Sequence, residues 1–342
     1  MSLPEFVFEL HACRWAELTW PPDDRESDSA VLVSRQLGSR RRRWDTIILE
    51  CDPAKLQQRR KFGPEHLDGD LLHVVRHAPA DWAWYQDALP HPGYPWRYVR
   101  EAIHEADDRG IIETRRRSRK IELRRKWPYP DWVKRIVAIE HKPDLTASAA
   151  DALAQQLEFD VALSLADEVW LATQTTSETR EPALFESMPV EVGIIALDPE
   201  TLASSILWHP RTLSADRPGT RILERPTGGA HDQSAATFDV VDPAEKASMR
   251  RRIAERAYER GWRSALDHMR TDCRHFALAA DTVTHEPRCI AKGRPQRAAE
   301  CHGDCHAFEP EPPQWRTQGW PIAGGPGKGA IRLADHQRSR SR

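Results

Sequence analysis

Ile136-Val137-Ala138-Ile139-Glu140-His141-Lys142-Pro143-Asp144 is the stretch on which the fold turns. Four consecutive apolar residues predict a buried strand. The strand ends on an acid, a spacer and a lysine. Alternate side chains share a face, so Glu140 and Lys142 are expected on one side of a sheet at its mouth. A carboxylate there can hold a divalent cation, and a lysine beside it can stabilise a developing anion. The same pattern also describes a strand that runs out into solvent through two charges.

The flanking sequence extends this to a unit. Residues 147–166 predict one helix, rich in Ala and Leu, with Leu153, Leu157 and Val161 as its core-facing stripe. It carries Gln155 and Gln156. The next apolar run, Glu168 to Thr173, predicts a second strand. Strand, helix and strand with short joints suggest a parallel crossover. Upstream, Trp44 to Cys51 predicts another strand, which Asp45 opens. Alternation places Asp45, Ile47, Leu49 and Cys51 on one face and Glu50 and Asp52 on the other. Antiparallel pairing would bring the start of this strand to the end of the Glu140 strand. Asp45 is favoured as the facing acid, with the pair Glu50 and Asp52 as the open alternative.

An acid opening one strand, E-x-K closing the next, then a Gln-bearing helix and an apolar strand resembles the PD-(D/E)XK nuclease superfamily. The matching positions are Asp45, Glu140, Lys142 and Gln156, over roughly residues 1–52 and 133–210. The resemblance implies a mixed sheet with flanking helices and phosphodiester hydrolysis in DNA that depends on Mg²⁺ or Mn²⁺. Asp45 and Glu140 would hold the metal, Lys142 would orient or activate water, and Gln156 would assist. A helix over 4–18 could carry an accessory acid, for which Glu17 is the candidate. One departure is the separation of about 95 positions from Asp45 to Glu140, which requires an insertion. The whole chain also resembles an uncharacterised family of halophilic archaea in its WDT, RKWPYPDW, ERAYERGWRS and GWPI-GGPGK stretches.

The 342 residues carry 30% charged side chains and a formal net charge of −2, so bulk charge selects no partner. No run of 18 apolar residues is present, which excludes a transmembrane helix. The start, MSLPEFVFEL, lacks the basic and apolar segments of a signal peptide. A cytoplasmic location is expected, with no membrane partner. The 6 Cys are then expected as thiols or metal ligands rather than disulfides.

Charge becomes informative locally. Arg40 to Arg43 precede Asp45 and suit either a solvated turn or a phosphate backbone. Within the insertion, residues 96–108 predict a helix with Tyr98, Val99, Ala102, Ile103 and Ala106 as its stripe. Two short strands follow around a basic turn, resembling a winged helix-turn-helix. Residues 115–126 hold eight Lys or Arg against one acid. Arg115, Arg116, Arg117 and Arg119 are the expected phosphate contacts, although a solvated hairpin fits as well. Trp82, Trp84 and Tyr85 are expected to pack a helix.

Beyond a predicted helix over 243–270, Cys273, Cys289, Cys301 and Cys305 form a C-x15-C-x11-C-x3-C series. Its last pair can grip one metal, expected as Zn²⁺, with a [4Fe–4S] cluster as the alternative. The expected fold class is α/β: a restriction-endonuclease-like mixed sheet with flanking helices, a winged-helix-like insertion and a C-terminal Cys-bearing helical region. The expected parts are a core of 1–52 plus 133–213, an insertion of 53–132, a linker of 214–236, the cysteine region of 237–308 and a Pro/Gly-rich tail of 309–342.

Overall fold

The computed structural model describes residues 5–23, 28–39, 42–144, 147–175, 188–224, 236–262, 273, 275–278, 287–295, 301 and 305–309. The tail from 310 and parts of the cysteine region lie outside them.

The chain opens with helix α1 (Glu5–Thr19) and the antiparallel pair β1 (Ala30–Gly38) and β2 (Arg43–Cys51). The inserted stretch then supplies α2 (Pro53–Arg59), α3 (Gly69–His77), β3 (Ala83–Trp84), α4 (Tyr85–Ala88), α5 (Trp96–Asp108), β4 (Ile112–Arg117) and β5 (Lys120–Arg125). The chain returns through β6 (Val133–His141), α6 (Ala147–Leu163), β7 (Glu168–Gln174), β8 (Gly193–Leu197) and β9 (Ser204–Trp208). It continues with β10 (Gly219–Glu224), β11 (Thr237–Val241), α7 (Pro243–Arg260) and three short strands, β12 (Phe276–Leu278), β13 (Pro287–Cys289) and β14 (Arg294–Pro295).

Six strands form one mixed sheet in the order β1-β2-β6-β7-β8-β9. β6 and β7 run parallel, joined through α6, as the strand–helix–strand pattern predicts. β2 and β6 run antiparallel, so the start of one meets the end of the other. β8 and β9 pair antiparallel, extending the sheet as expected.

Alternation divides the sheet's two faces. Ile47, Leu49, Cys51, Ile136 and Ala138 join a buried cluster with Leu153 and Leu157 of α6 and Ile253 and Ala257 of α7. Ile48, Val137 and Ile139 point the other way, onto Phe8, Ala12 and Trp15 of α1. At β8 the packing is tight enough to require glycine. A Cβ on Gly193 would come within 2.6 Å of the Trp170 ring.

The insertion has its own core, in which Leu71, Val74 and Val75 of α3 meet Val99, Ile103 and Ala106 of α5. The helix and hairpin expected there both form. A third strand, β3, joins the hairpin in the order β3-β5-β4. Tyr85 is buried in this core as expected. Trp84 packs against the same core and also lies beneath the Lys120 ammonium. Trp82 instead lies beneath the guanidiniums of Arg115 and Arg124, 4.4 and 4.8 Å from their carbon centres.

A buried ion pair fastens the insertion to the rest. Arg59 and Glu255 are both fully buried, and Arg59 Nε and Nη2 donate to the carboxylate at 2.8 and 2.5 Å. Tyr129 Oη and the Leu67 amide also donate to Glu255.

The stretch read as a linker contains β10, which pairs with β11 and lies against α6. Its alternation is short and sits among Gly and Pro, which hid it. After α7, which Gly261 ends at φ 63°, the described cysteine region forms a small antiparallel sheet of β12, β13 and β14. Among the described residues no helix is long and apolar enough to cross a membrane.

Candidate functional site

The end of the sheet where β2 begins and β6 ends gathers charge. Thr46 pairs with Ile139, so Asp45 and Glu140 are the next residues of the two strands. By alternation Glu140 belongs with Ala138 on the α6 side. Trp44 and Ile47 both face α6 while Thr46 bonds Cys13 of α1, so alternation breaks at the start of β2, at Asp45. Asp45 Oδ2 accepts the His141 backbone N–H at 3.0 Å, which closes the end of the ladder. Gln156, from α6, donates its side-chain amide to Glu140 Oε2 at 2.6 Å. Three of the four residues expected from the sequence therefore meet here.

Lys142 does not share in this contact. It lies one position beyond β6, where its backbone N–H donates to the Ala172 carbonyl, and its ammonium pairs with Glu5 Oε1 at 3.0 Å. The guanidinium on Glu140 belongs to Arg42, whose Nη2 lies 2.7 Å from Glu140 Oε1. Arg42 also grips Asp160 of α6 with Nε and Nη2 at 2.8 and 2.7 Å. Arg42 thus turns inward to carboxylates, while Arg43 is exposed; Arg40 and Arg41 lie outside the described residues.

A further acid comes from α1. Glu9 is buried, and its Oε1 accepts from Gln36 Nε2 at 2.6 Å, while the same amide donates to Asp45 Oδ1 at 2.9 Å. Gln36 stands at φ 52°, a left-handed conformation that residues other than glycine seldom adopt. Arg35 pairs with the other Glu9 oxygen at 2.6 Å. Glu17, the acid expected from α1, lies two helical turns away, about 12 Å along the axis. The open alternative for the facing acid is also resolved. Glu50 turns to the α1 face, where Trp20 Nε1 donates to it at 2.9 Å and Arg135 pairs with it. Asp52 caps α2 by accepting the Lys55 amide.

The electrostatics follow from this burial. Desolvation, and then the charge of Asp45, push the Glu140 carboxyl from 4.5 up to about 8, against the pull of Arg42. Desolvation also raises Glu9 and Asp160. His141, buried with its ring edge-on to Phe8, is pushed down to about 4 by desolvation. Glu140 therefore holds its proton to a higher pH than an exposed carboxyl does. The donors of the centre are all oxygens, the set that suits Mg²⁺ or Mn²⁺. Among the described residues no three His, Cys, Asp or Glu side chains form a metal-holding group. Mg²⁺ commonly takes only one or two carboxylates and completes its shell with water and phosphate.

The other expected residues lie elsewhere. Arg115 to Arg119 form the tip of the β4–β5 hairpin, with Ser118 and Arg119 at positive φ in the turn. Arg115 pairs with Glu122 at 2.6 Å, while Arg116, Arg117 and Arg119 are exposed. Cys273 and Cys289 are buried, and Cys301 and Cys305 half-buried. Cys289 sits on β13, opposite Phe276. No metal-holding group forms among these residues, as among the rest of the described chain.

Sequence reasoning missed Glu9, Gln36 and Asp160. Asp160 alone had a sequence signal, an acid four residues after Gln156 on the same helix face. A family model described as a family of unknown function (DUF5787) matches residues 32–310. No curated protein and no solved structure matches the chain.

Proposed function

The chain belongs to DUF5787, a family of unknown function, and from its own geometry we propose that it is a metal-dependent nuclease acting on DNA. The observation that carries this is the meeting of Asp45 and Glu140 on adjacent antiparallel strands, with the Gln156 amide 2.6 Å from Glu140. The order α1, β1, β2, β6, α6, β7, with β6 and β7 parallel, supports the resemblance to the PD-(D/E)XK superfamily.

Asp45 and Glu140 would hold Mg²⁺ or Mn²⁺, which polarises a phosphoryl oxygen and lowers the pKa of bound water. Gln156 fixes the Glu140 carboxylate, leaving its other oxygen to Arg42. Gln36 holds Asp45 against Glu9 without adding charge. Lys142 can turn to a reacting phosphate at little cost. Its pair with Glu5 is solvent-exposed, and such pairs contribute about 0–1 kcal/mol.

A second reading, a DNA-binding protein that does not cleave, is favoured by the Arg42–Glu140 ion pair, which partly neutralises the carboxylate a metal would need. The basic hairpin serves either reading as a phosphate contact. The Zn²⁺ or [4Fe–4S] proposal for the cysteines retains the support of their number and spacing only.

The test compares wild type, Asp45→Ala and Glu140→Ala on linear, single-stranded and branched DNA, with Mg²⁺, Mn²⁺ or EDTA. Cleavage by wild type in either metal, lost in EDTA and lowered at least a hundredfold in both variants, is expected. Binding without cleavage on every substrate selects the second reading. Equal cleavage by all three proteins removes the assigned centre.

A further inference from the structure

Beside the carboxylate centre a cleft of about 700 Å³ opens between α6, α7 and β10. Gln156, Asp160 and Arg42 form the wall it shares with the centre. Arg252 and Arg256 supply an exposed rim from α7, and Phe159, Leu163 and Met249 an apolar wall. The volume lies within the range of sites that enclose a small organic group.

The rim carries unbalanced charge. Arg252, Arg256 and Arg260 recur at four-residue spacing, where like charges face one another along a helix. Among the described residues Arg252 meets no carboxylate. Arg256 donates to a backbone carbonyl, that of Gly38, at 2.5 Å. Burial, and then Arg260 and Arg252, lower the Arg256 pKa. Arg221 differs, because Asp239 and Glu245 hold it at 3.0 and 2.7 Å. Two guanidiniums with no acid between them match a phosphate, which accepts several N–H donors at once. The apolar wall beside them matches a nucleobase face.

We propose that this cleft takes one unpaired nucleotide of a DNA strand, with its phosphate on Arg252 and Arg256 and its base against Phe159, Leu163 and Met249. A base can reach that wall only when it is out of the stack, so the site selects single strands or strand ends over continuous duplex. The adjoining phosphodiester would then lie toward Glu140. This last point rests on the nuclease reading; the binding site does not.

The test is fluorescence anisotropy in EDTA, where no metal-dependent cleavage interferes, with a labelled single-stranded oligonucleotide and a blunt duplex of equal length. Wild type is compared with Arg252→Glu/Arg256→Glu, the milder Arg252→Gln/Arg256→Gln and Phe159→Ala, each checked for an unchanged melting transition. The double variants are expected to weaken single-strand binding at least tenfold. The salt slope should fall by roughly 0.7, the value for one phosphate contact on a single strand. Phe159→Ala should weaken single-strand binding and spare duplex binding. Unchanged single-strand affinity in a folded double variant overturns the proposal, as does equal loss for single strand and duplex. Cleft-dependent binding by a wild type that cleaves nothing keeps this proposal and removes the nuclease reading.

Discussion

Arg42 and Glu140 meet at 2.7 Å, nitrogen to oxygen, and the same guanidinium spans to Asp160 on the helix opposite. One cation thus serves two buried carboxylates drawn from β6 and α6. Removing it leaves both without their counter-charge. Arg42→Ala should cost about 3–5 kcal/mol, the usual range for breaking a buried pair by deleting one partner. Urea denaturation measures it. Arg42→Lys should recover only part of the loss, because a lysine cannot form the two-nitrogen grip on Asp160. Full recovery by lysine would show that the fork geometry is unimportant.

The Glu140 carboxyl gives a pH dependence of definite sign. Burial and the Asp45 charge raise it from 4.5 to about 8, so between those values the folded protein holds a proton that the unfolded chain releases. Its stability contribution in EDTA is fully present below pH 4.5 and is lost as pH rises through about 8. The melting temperature of wild type relative to Glu140→Gln should therefore fall across that window. Millimolar Mn²⁺ at the alkaline end should restore part of it, because a bound cation favours the ionised carboxylate. A wild type and variant that run parallel across the whole window would contradict the shift.

Glu255 should matter to stability as much as Arg42 does. It accepts from Arg59, Tyr129 and the Leu67 amide in a fully buried setting. Glu255→Ala strands the Arg59 charge and should cost about 3–5 kcal/mol. Hydrogen exchange should accelerate first around 59–67, where the insertion is fastened. Uniform acceleration throughout the chain would assign the residue to global stability instead.

At the hairpin, the four arginines should not act alike. Arg116, Arg117 and Arg119 are exposed, whereas Arg115 is engaged by Glu122 and the Trp82 ring. Replacing those three by Ala should flatten the salt dependence of duplex binding by roughly 2 to 3, at about 0.9 per phosphate contact. Arg115→Ala alone should change it little and loosen the hairpin. Duplex affinity and salt slope that ignore the triple substitution would leave the tip a solvated turn.

Sequence alone determined the elements with strong periodicity. The apolar run of 136–139, the stripe of 153, 157 and 161 and the helix of 96–108 all have their period and their sidedness in neighbouring residues. Alternation likewise set Glu50 apart, and the order of acid-first and acid-last strands brought Asp45 and Glu140 to the same end of the sheet, although alternation itself fails at Asp45, where Trp44 and Ile47 both face α6. Only the tertiary structure decided what surrounds that pair. Glu9, Gln36, Arg42 and Asp160 come from a helix, a strand, a strand entry and a second helix, and no spacing along the chain relates them. Lys142 stands apart from Glu140 because alternation describes a strand, and the residue lies just past the end of β6. There its direction is set by the ladder bond to Ala172 and by the Glu5 carboxylate. Local pattern encodes which face a side chain takes. Which charge it meets depends on strand register and helix docking, where burial of a carboxylate compels a partner from whichever segment the fold brings near.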